Sequence, residues 1–237
     1  MRRFLLFFGA GLLLCASPAL SGIVDTRDQL MTMLGANAVT DDFNGFNVGD
    51  GATVNTGVSY FDASTVVAGN GPGLVHAGAT YSMVRAPLTW VGANYFGIPS
   101  RTIVCWNSAA AAAAPMAKLP GANPTDVKLF FAVLINFLEP VNTFGVDLWH
   151  FDVLGIVTVE IYDTAGDLIS ENFVTPPPMG SSTFFGDTEP GGIGAVVVKN
   201  TKFPTYYSPN IDDFTYGVAT ATPAAKTSWG RIKTLYR

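Results

Sequence analysis

Residues 156–174 constrain the fold most, because they carry the pattern of a β-hairpin. The runs Ile156–Tyr162 (IVTVEIY) and Asp167–Val174 (DLISENFV) are rich in β-branched and aromatic residues. The four residues between them, Asp-Thr-Ala-Gly, have the composition of a short turn. The pattern therefore predicts two antiparallel strands joined by a tight connection.

From Val39 onward the sequence consists of short runs that favour β-strands, separated by glycine, asparagine and proline. Further strands are predicted at Val58–Phe61, Thr65–Val67, Thr80–Arg85, Arg101–Trp106, Val127–Phe137, Thr143–Trp149, Phe184 and Phe185, Ala195–Val198, and Ile211–Tyr216. Gly22–Gly35 suggests a short helix or an ordered lead-in. This pattern predicts an all-β fold, an antiparallel β-sandwich of the jelly-roll type over residues 39–218, preceded by a lead-in at 22–38.

The N-terminus has the layout of a bacterial secretory signal peptide. Residues 1–21 begin with two arginines, continue with an apolar run from Phe4 to Cys15, and end in small residues. The apolar run is shorter than the roughly 20 residues that a membrane span needs. We therefore expect export to the cell surface or medium, with no transmembrane span in the mature chain.

The C-terminus reads as a small-residue linker at 219–225 and a basic tail at 226–237. Trp229, Ile232 and Tyr236 fall on one face of a helix, beside three basic residues. We expect this tail to dock to export or sorting machinery; a terminal strand or a disordered end is the alternative.

The body of the chain is acidic. Of 13 lysines and arginines, two lie in the signal peptide and four in the tail, which leaves seven against 18 acidic residues, a net charge of about −11. An acidic body argues against nucleic acid as a partner.

Several segments resemble a broad group of secreted bacterial β-sandwich domains. The similar segments are Asp42–Phe61 (DFNGFNVGDGATVNTGVSYF), Thr143–Trp149 (TFGVDLW), residues 157–169 (VTVEIYDTAGDLI) and Asn210–Gly217 (NIDDFTYG). The group includes exported proteins with C-terminal sorting tails, and its architecture is like that of carbohydrate-binding jelly rolls. The resemblance implies a secreted sandwich.

Two segments place paired aspartates before a phenylalanine: TDDFNG at residues 40–45 and IDDF at residues 211–214. If these strands adjoin, two to four oxygen ligands converge, which would suit a structural Ca²⁺. The predicted ligands are Asp42, Asn44, Asp212 and Asp213. Similar jelly rolls use an aspartate of the closing strand, here Asp212, with a glutamate where this chain has Asn44. Backbone N–H groups and turn capping are the alternative partners of these carboxylates.

Carbohydrate binding would use exposed aromatic side chains. The candidates flanked by loop residues are Trp90, Tyr95, Tyr206 and Tyr207. The expected partner is a polysaccharide or another cell-envelope component.

No catalytic motif is present, and His76 and His150 match no metal or triad spacing. Glu139, Glu160, Glu171 and Glu189 would supply a glycosidase pair only if the fold brought two of them together. From the sequence we therefore predict a non-catalytic structural, adhesive or binding module. A carbohydrate-binding module is the alternative, and a hydrolase on the same fold comes third.

Overall fold

A computed structural model describes residues 21–44, 53–55, 60–66, 72–73, 75–83, 88–91, 102–105, 132–149, 157–175, 178, 181–200 and 210–220. Of the sequence-based predictions, residues 1–20 of the signal peptide, the C-terminal tail and residues 106–131 lie outside this range. Within it, no helix has the length and apolar character needed to cross a membrane.

The described residues form an antiparallel β-structure with one short helix. The strands are β1 (Gly22–Val24), β2 (Val39–Asp41), β3 (Thr53–Asn55), β4 (Tyr60–Phe61), β5 (Ala79–Met83), β6 (Leu88–Val91), β7 (Thr102–Cys105), β8 (Ala132–Trp149), β9 (Val157–Tyr162), β10 (Leu168–Val174), β11 (Ser182–Asn200) and β12 (Asn210–Gly217). Helix α1 spans Arg27–Leu34 and is followed by a 3-10 turn at Gly35–Asn37. The all-β prediction is confirmed.

The predicted hairpin is confirmed as β9 and β10, which pair antiparallel. Asp163 organises its turn, because its Oδ1 accepts hydrogen bonds from the backbone N–H groups of Ala165 and Asp167. Gly166 has a φ of 89°, a conformation that glycine adopts without strain.

Two strands are longer than predicted. We expected separate strands on either side of Pro140, but β8 runs through that proline, where Leu138, Glu139 and Pro140 are exposed. Likewise β11 joins the two short strands predicted around residues 184 and 197. The ladder between β8 and β11 shifts register between Thr188 and Ala195, so these strands continue across irregularities that a local pattern marks as ends. The strand predicted at Thr65–Val67 is absent at Thr65 and Val66.

The two long strands divide the sheet into two halves. The first half contains β4, β5, the start of β8, the end of β11, β9 and β10. The second contains β1, the start of β11, the end of β8, β12 and β2, with β7, β6 and β3 beyond β12.

The halves share one hydrophobic core that centres on Phe214. Its ring lies 6.1 Å from those of Tyr81 and Phe137, which belong to the first half. It lies 5.9 Å from Phe144 and 5.8 Å from Tyr216 in its own half. These contacts join the two halves through side chains in addition to the continuous strands.

The lead-in packs on the outer side of the second half. Thr26 caps α1 by accepting a hydrogen bond from the Gln29 N–H. Leu30 and Leu34 are buried with Val24, and Phe184 packs against them. Gly145 leaves room for the helix, because a Cβ there would lie 2.6 Å from Leu30 Cδ2.

The predicted adjacency of the two aspartate segments is confirmed: β2 pairs with β12, with Asp41 opposite Phe214 and Val39 opposite Tyr216. Side chains along β12 do not alternate regularly between the two faces of the sheet, because the strand bulges between Asp212 and Thr215. Asp213 has a φ of 45° in that bulge. Both neighbours of Asp213 are consequently buried.

Candidate functional site

The hairpin brings two glutamates together on the outer side of the first half. Glu160 on β9 lies directly opposite Glu171 on β10. Opposed residues in an antiparallel ladder have Cα atoms about 4.5–5.5 Å apart. The fold thus supplies the pair of carboxylates that the sequence left unassigned.

Lys199 on β11 joins the two carboxylates. Its ammonium contacts Glu160 Oε1 and lies 3.4 Å from Glu171 Oε1. Glu160 and Lys199 are buried, whereas Glu171 is exposed at the edge. One cation therefore holds a buried and an accessible carboxylate side by side.

Tyr162 completes the polar group around Glu160. Its hydroxyl donates a 2.9 Å hydrogen bond to Glu160 Oε2. Burial raises the pKa of Tyr162, and the negative charge of Glu160 raises it further. The phenol accordingly stays protonated and remains a donor at neutral pH.

Phe173 and Thr158 lie on the same face, in the row next to the two glutamates. Phe173 on β10 is opposite Thr158 on β9, which is opposite Lys199 on β11. The Phe173 ring is 67% exposed. The buried Thr158 hydroxyl has no hydrogen-bond partner among the described residues. We call Thr158, Glu160, Tyr162, Glu171, Phe173 and Lys199 the Glu160 face.

The Glu160 face combines an apolar ring with hydrogen-bonding groups of both kinds. Phe173 and the acceptor Glu171 are exposed, and behind them lie the buried acceptor Glu160, the buried donor Lys199 and the buried Thr158 hydroxyl. Such a combination suits a ligand that is polar at its edges and apolar on its faces.

The predicted calcium ligands lie near a second charged group, the Arg27 cluster, which consists of Arg27, Asp147 and Asp213. Arg27 Nη2 lies 2.9 Å from Asp147 Oδ2 and donates a 3.0 Å hydrogen bond to the Asp213 carbonyl. Arg27 also lies 5.4 Å from the centre of the Phe184 ring. Asp212 is opposite Asp147 in the ladder.

Burial disfavours the ionised forms of both carboxyl groups in the Arg27 cluster. Burial raises the pKa of Asp147, and Arg27 opposes the rise. Burial also raises the pKa of Asp213; Arg27 lowers it, while Asp147 and Asp42 raise it. The positive charge near these aspartates is thus provided by a side chain of the protein.

Two of the predicted calcium ligands accept hydrogen bonds from nearby backbone N–H groups. Asp42 Oδ1 accepts the Asn44 N–H in a local turn, and Asp212 Oδ1 accepts the Asp213 N–H. Within the described ranges, no group of three or more histidine, cysteine or acidic side chains is arranged to hold a metal. Calcium binding through Asp42, Asn44, Asp212 and Asp213 therefore stays a prediction from the sequence.

Replacing Asp213 with asparagine tests whether Arg27 alone, or also a bound Ca²⁺ ion, supplies the positive charge beside this carboxylate. Asparagine tolerates a positive φ, and the change removes a carboxylate whose raised pKa makes its ionised form unfavourable in the folded state. We expect Asp213→Asn to have a higher urea midpoint than the wild type at pH 7. The difference should shrink as the pH falls below the raised pKa and vanish below the ordinary pKa of aspartate, because the wild-type carboxyl is then protonated in both the folded and the unfolded state. EDTA should leave both midpoints unchanged.

The opposite result would favour calcium. A lower midpoint for Asp213→Asn, together with a wild-type midpoint that falls in EDTA, would show that Asp213 ligates a metal ion.

The other predicted site residues lie outside the described residues. Trp90 belongs to β6, but its side chain is not described. The same holds for the whole of Tyr95, Tyr206, Tyr207, Trp229, Ile232 and Tyr236. The predicted sugar platform and docking tail are thus untested.

Comparisons with known proteins assign no family to the chain. No protein-family model matches the chain, and no curated protein matches it. One solved structure that it resembles is the enzymatically active domain of tailspike protein 4 from bacteriophage CBA120. The TM-score is 0.32 at 15% identity, over 59% of this chain and 19% of that chain.

This neighbour contradicts the prediction of a protein without enzymatic activity, because it is described as an enzymatically active domain. We withdraw that prediction. At a TM-score of 0.32 the likeness assigns no activity to this chain, so any function must come from its own side chains.

Proposed function

We propose that the protein is an exported β-sandwich that binds carbohydrate on the Glu160 face. The observation that carries the proposal is the exposed Phe173 ring beside the exposed side chain of Glu171. Glu171 lies two residues from Phe173 on the same strand. A sugar ring has an apolar face that packs on an aromatic ring and hydroxyl groups that bond to carboxylates.

The charges on the Glu160 face support a role beyond stability. A buried ion pair often contributes no more to stability than well-packed apolar residues of the same volume. Glu160 and Lys199 nevertheless occupy the centre of this face. Binding of hydroxyl groups is a function that apolar replacements would not provide.

The proposal also includes the sandwich architecture and export from the cell. The hydrophobic core that the two halves of the sheet share around Phe214 supports the sandwich. The support for export is the signal-peptide pattern of residues 1–21 and the resemblance to secreted bacterial domains. The proposed partner is a polysaccharide of the cell envelope or its surroundings.

A pull-down on a panel of insoluble polysaccharides tests the binding proposal. We expect the wild type to be retained on at least one of them. Phe173→Ala should bind about tenfold more weakly, since an aromatic contact is worth about 0.5–1.5 kcal/mol beyond its buried area. Leu138→Ala is the matched control, because Leu138 is equally exposed but lies at the bend of β8. Equal retention of both variants would contradict the proposal.

Glycoside hydrolysis is a second candidate function, favoured by the pairing of Glu160 with Glu171. Most glycosidases use two carboxyl groups that flank the scissile bond, one as acid or base and the other as nucleophile or base. Here the accessible Glu171 would be the acid or base, and Glu160, which accepts a hydrogen bond from Tyr162, would be the second carboxyl group.

Release of reducing ends from the retained polysaccharide tests the hydrolysis. We expect Glu171→Gln to lower the rate by at least about 100-fold, the usual contribution of a general acid or base. Glu139→Gln, at an exposed glutamate of the bend, should leave the rate unchanged. Retention without any release by the wild type would reject hydrolysis and leave the binding proposal intact.

A further inference from the structure

A second polar site lies where β2 meets the segment before β5, and it is independent of the Glu160 face. Asp41, the last residue of β2, is almost completely buried. Its Oδ1 accepts a 2.6 Å hydrogen bond from the His76 backbone N–H and lies 2.9 Å from His76 Nδ1. Its Oδ2 accepts a 2.5 Å hydrogen bond from the Tyr81 hydroxyl.

These contacts select one tautomer of His76. An ionised carboxylate is only an acceptor, so a neutral His76 must carry its proton on Nδ1 to bond Asp41. Nε2 is then left with a free lone pair on the opposite side of the ring. The His76 side chain is 64% exposed, so solvent and solutes have access to it.

Tyr81 keeps the carboxylate in place. Its side chain is fully buried in the core, and burial together with the charge of Asp41 raises the pKa of the phenol well above its ordinary value. The hydroxyl therefore remains a donor to Oδ2 at all working pH values. Asp41 is held from one side by Tyr81 and from the other by the backbone of His76, which fixes its orientation towards Nδ1.

We propose that His76 is a general base whose tautomer Asp41 fixes, and that it activates water or a substrate hydroxyl at this site. A buried carboxylate that bonds Nδ1–H while Nε2 faces the reactants is the arrangement by which histidine acts as a base in hydrolases. Asp41 and Tyr81 are positioning residues, and His76 is the group that would touch the substrate.

The matching substrate class is an aryl ester with an accessible carbonyl, whose aryl oxide leaves without needing a proton. Nε2 takes a proton from a water molecule while the water oxygen forms a bond to the carbonyl carbon. The tetrahedral adduct then breaks its bond to the leaving oxygen. An aryl oxide departs with the electron pair, and the imidazolium returns its proton to solvent. The reaction consumes only the ester and water.

Hydrolysis of p-nitrophenyl acetate by the purified protein tests the proposal. We expect the wild type to be about 100-fold faster than His76→Gln, and Asp41→Asn to lose a comparable factor because asparagine no longer enforces the Nδ1–H tautomer. His76→Gln changes an exposed side chain, so it should fold normally. Equal rates for the wild type and His76→Gln would overturn the proposal.

The position of the His76 ring proton can be measured by NMR in the wild type. This test does not depend on whether Asp41→Asn folds. The chain contains two histidines, so long-range ¹H–¹⁵N spectra of the wild type and of His76→Gln assign the His76 ring. The proposal requires the proton on Nδ1 at neutral pH. A proton on Nε2 would overturn it whatever the rates are.

Discussion

Phe214→Ala is expected to destabilise the protein by about 3–5 kcal/mol, the usual cost of removing a fully buried phenylalanine. Its ring contacts Tyr81 and Phe137 from one half of the sheet and Phe144 and Tyr216 from the other. The cavity would therefore open at the point where the two halves meet. Urea unfolding followed by circular dichroism measures the change.

Phe173→Ala is the matched control for this experiment, because it makes the same chemical change at an exposed ring. We expect it to change the unfolding free energy by no more than about 0.5 kcal/mol. Equal losses for the two variants would contradict the shared core. A stable Phe173→Ala also ensures that any loss of carbohydrate binding reflects the Glu160 face and not the fold.

Lys199→Met is expected to have the second large effect, about 3–5 kcal/mol of destabilisation at neutral pH. The change removes the ammonium that contacts Glu160 and Glu171, and it leaves the buried Glu160 with only the Tyr162 hydroxyl among the contacts described here. Urea unfolding at pH 7 checks the result.

The double variant Lys199→Met, Glu160→Gln controls for the loss of the lysine stem. Glutamine is uncharged and keeps the shape of the side chain, so we expect it to recover most of the stability. If the double variant is as unstable as Lys199→Met, the cost comes from packing and the ion pair is not the cause.

Local patterns in the sequence were sufficient for the hairpin and for the neighbouring positions of β2 and β12. They failed at Pro140 and at residues 189–192, where proline and glycine indicate strand ends. In β8 and β11 these residues instead lie at bends between the two halves. Whether a strand ends or bends there depends on pairing with distant strands, which a local pattern does not contain.

The Glu160 face was missed because of a single bulge. Tyr162 pairs with Leu168, and an undisturbed ladder would then place Ser170 opposite Glu160. The extra residue, Ile169, shifts the register by one, so Glu171 faces Glu160 instead. The alternation of β10 alone does not reveal a bulge.

The Asp41 site was missed for another reason. We considered Asp42 rather than Asp41 as the functional carboxylate, although Val39 and Phe43 already placed Asp41 with apolar neighbours on one face. That signal was sufficient to predict a buried carboxylate in need of donors. Its partners, His76 and Tyr81, are 35 and 40 residues away in the chain.

Hydrogen–deuterium exchange with and without the retained polysaccharide tests the carbohydrate proposal most directly. We predict slower exchange in the presence of polysaccharide within residues 168–174 of the wild type, and a smaller change in Phe173→Ala at the same polysaccharide concentration. Residues 75–83, around His76, should exchange at the same rate in both states. Protection confined to another part of the chain, with residues 157–175 unaffected, would contradict the proposal that the Glu160 face binds carbohydrate.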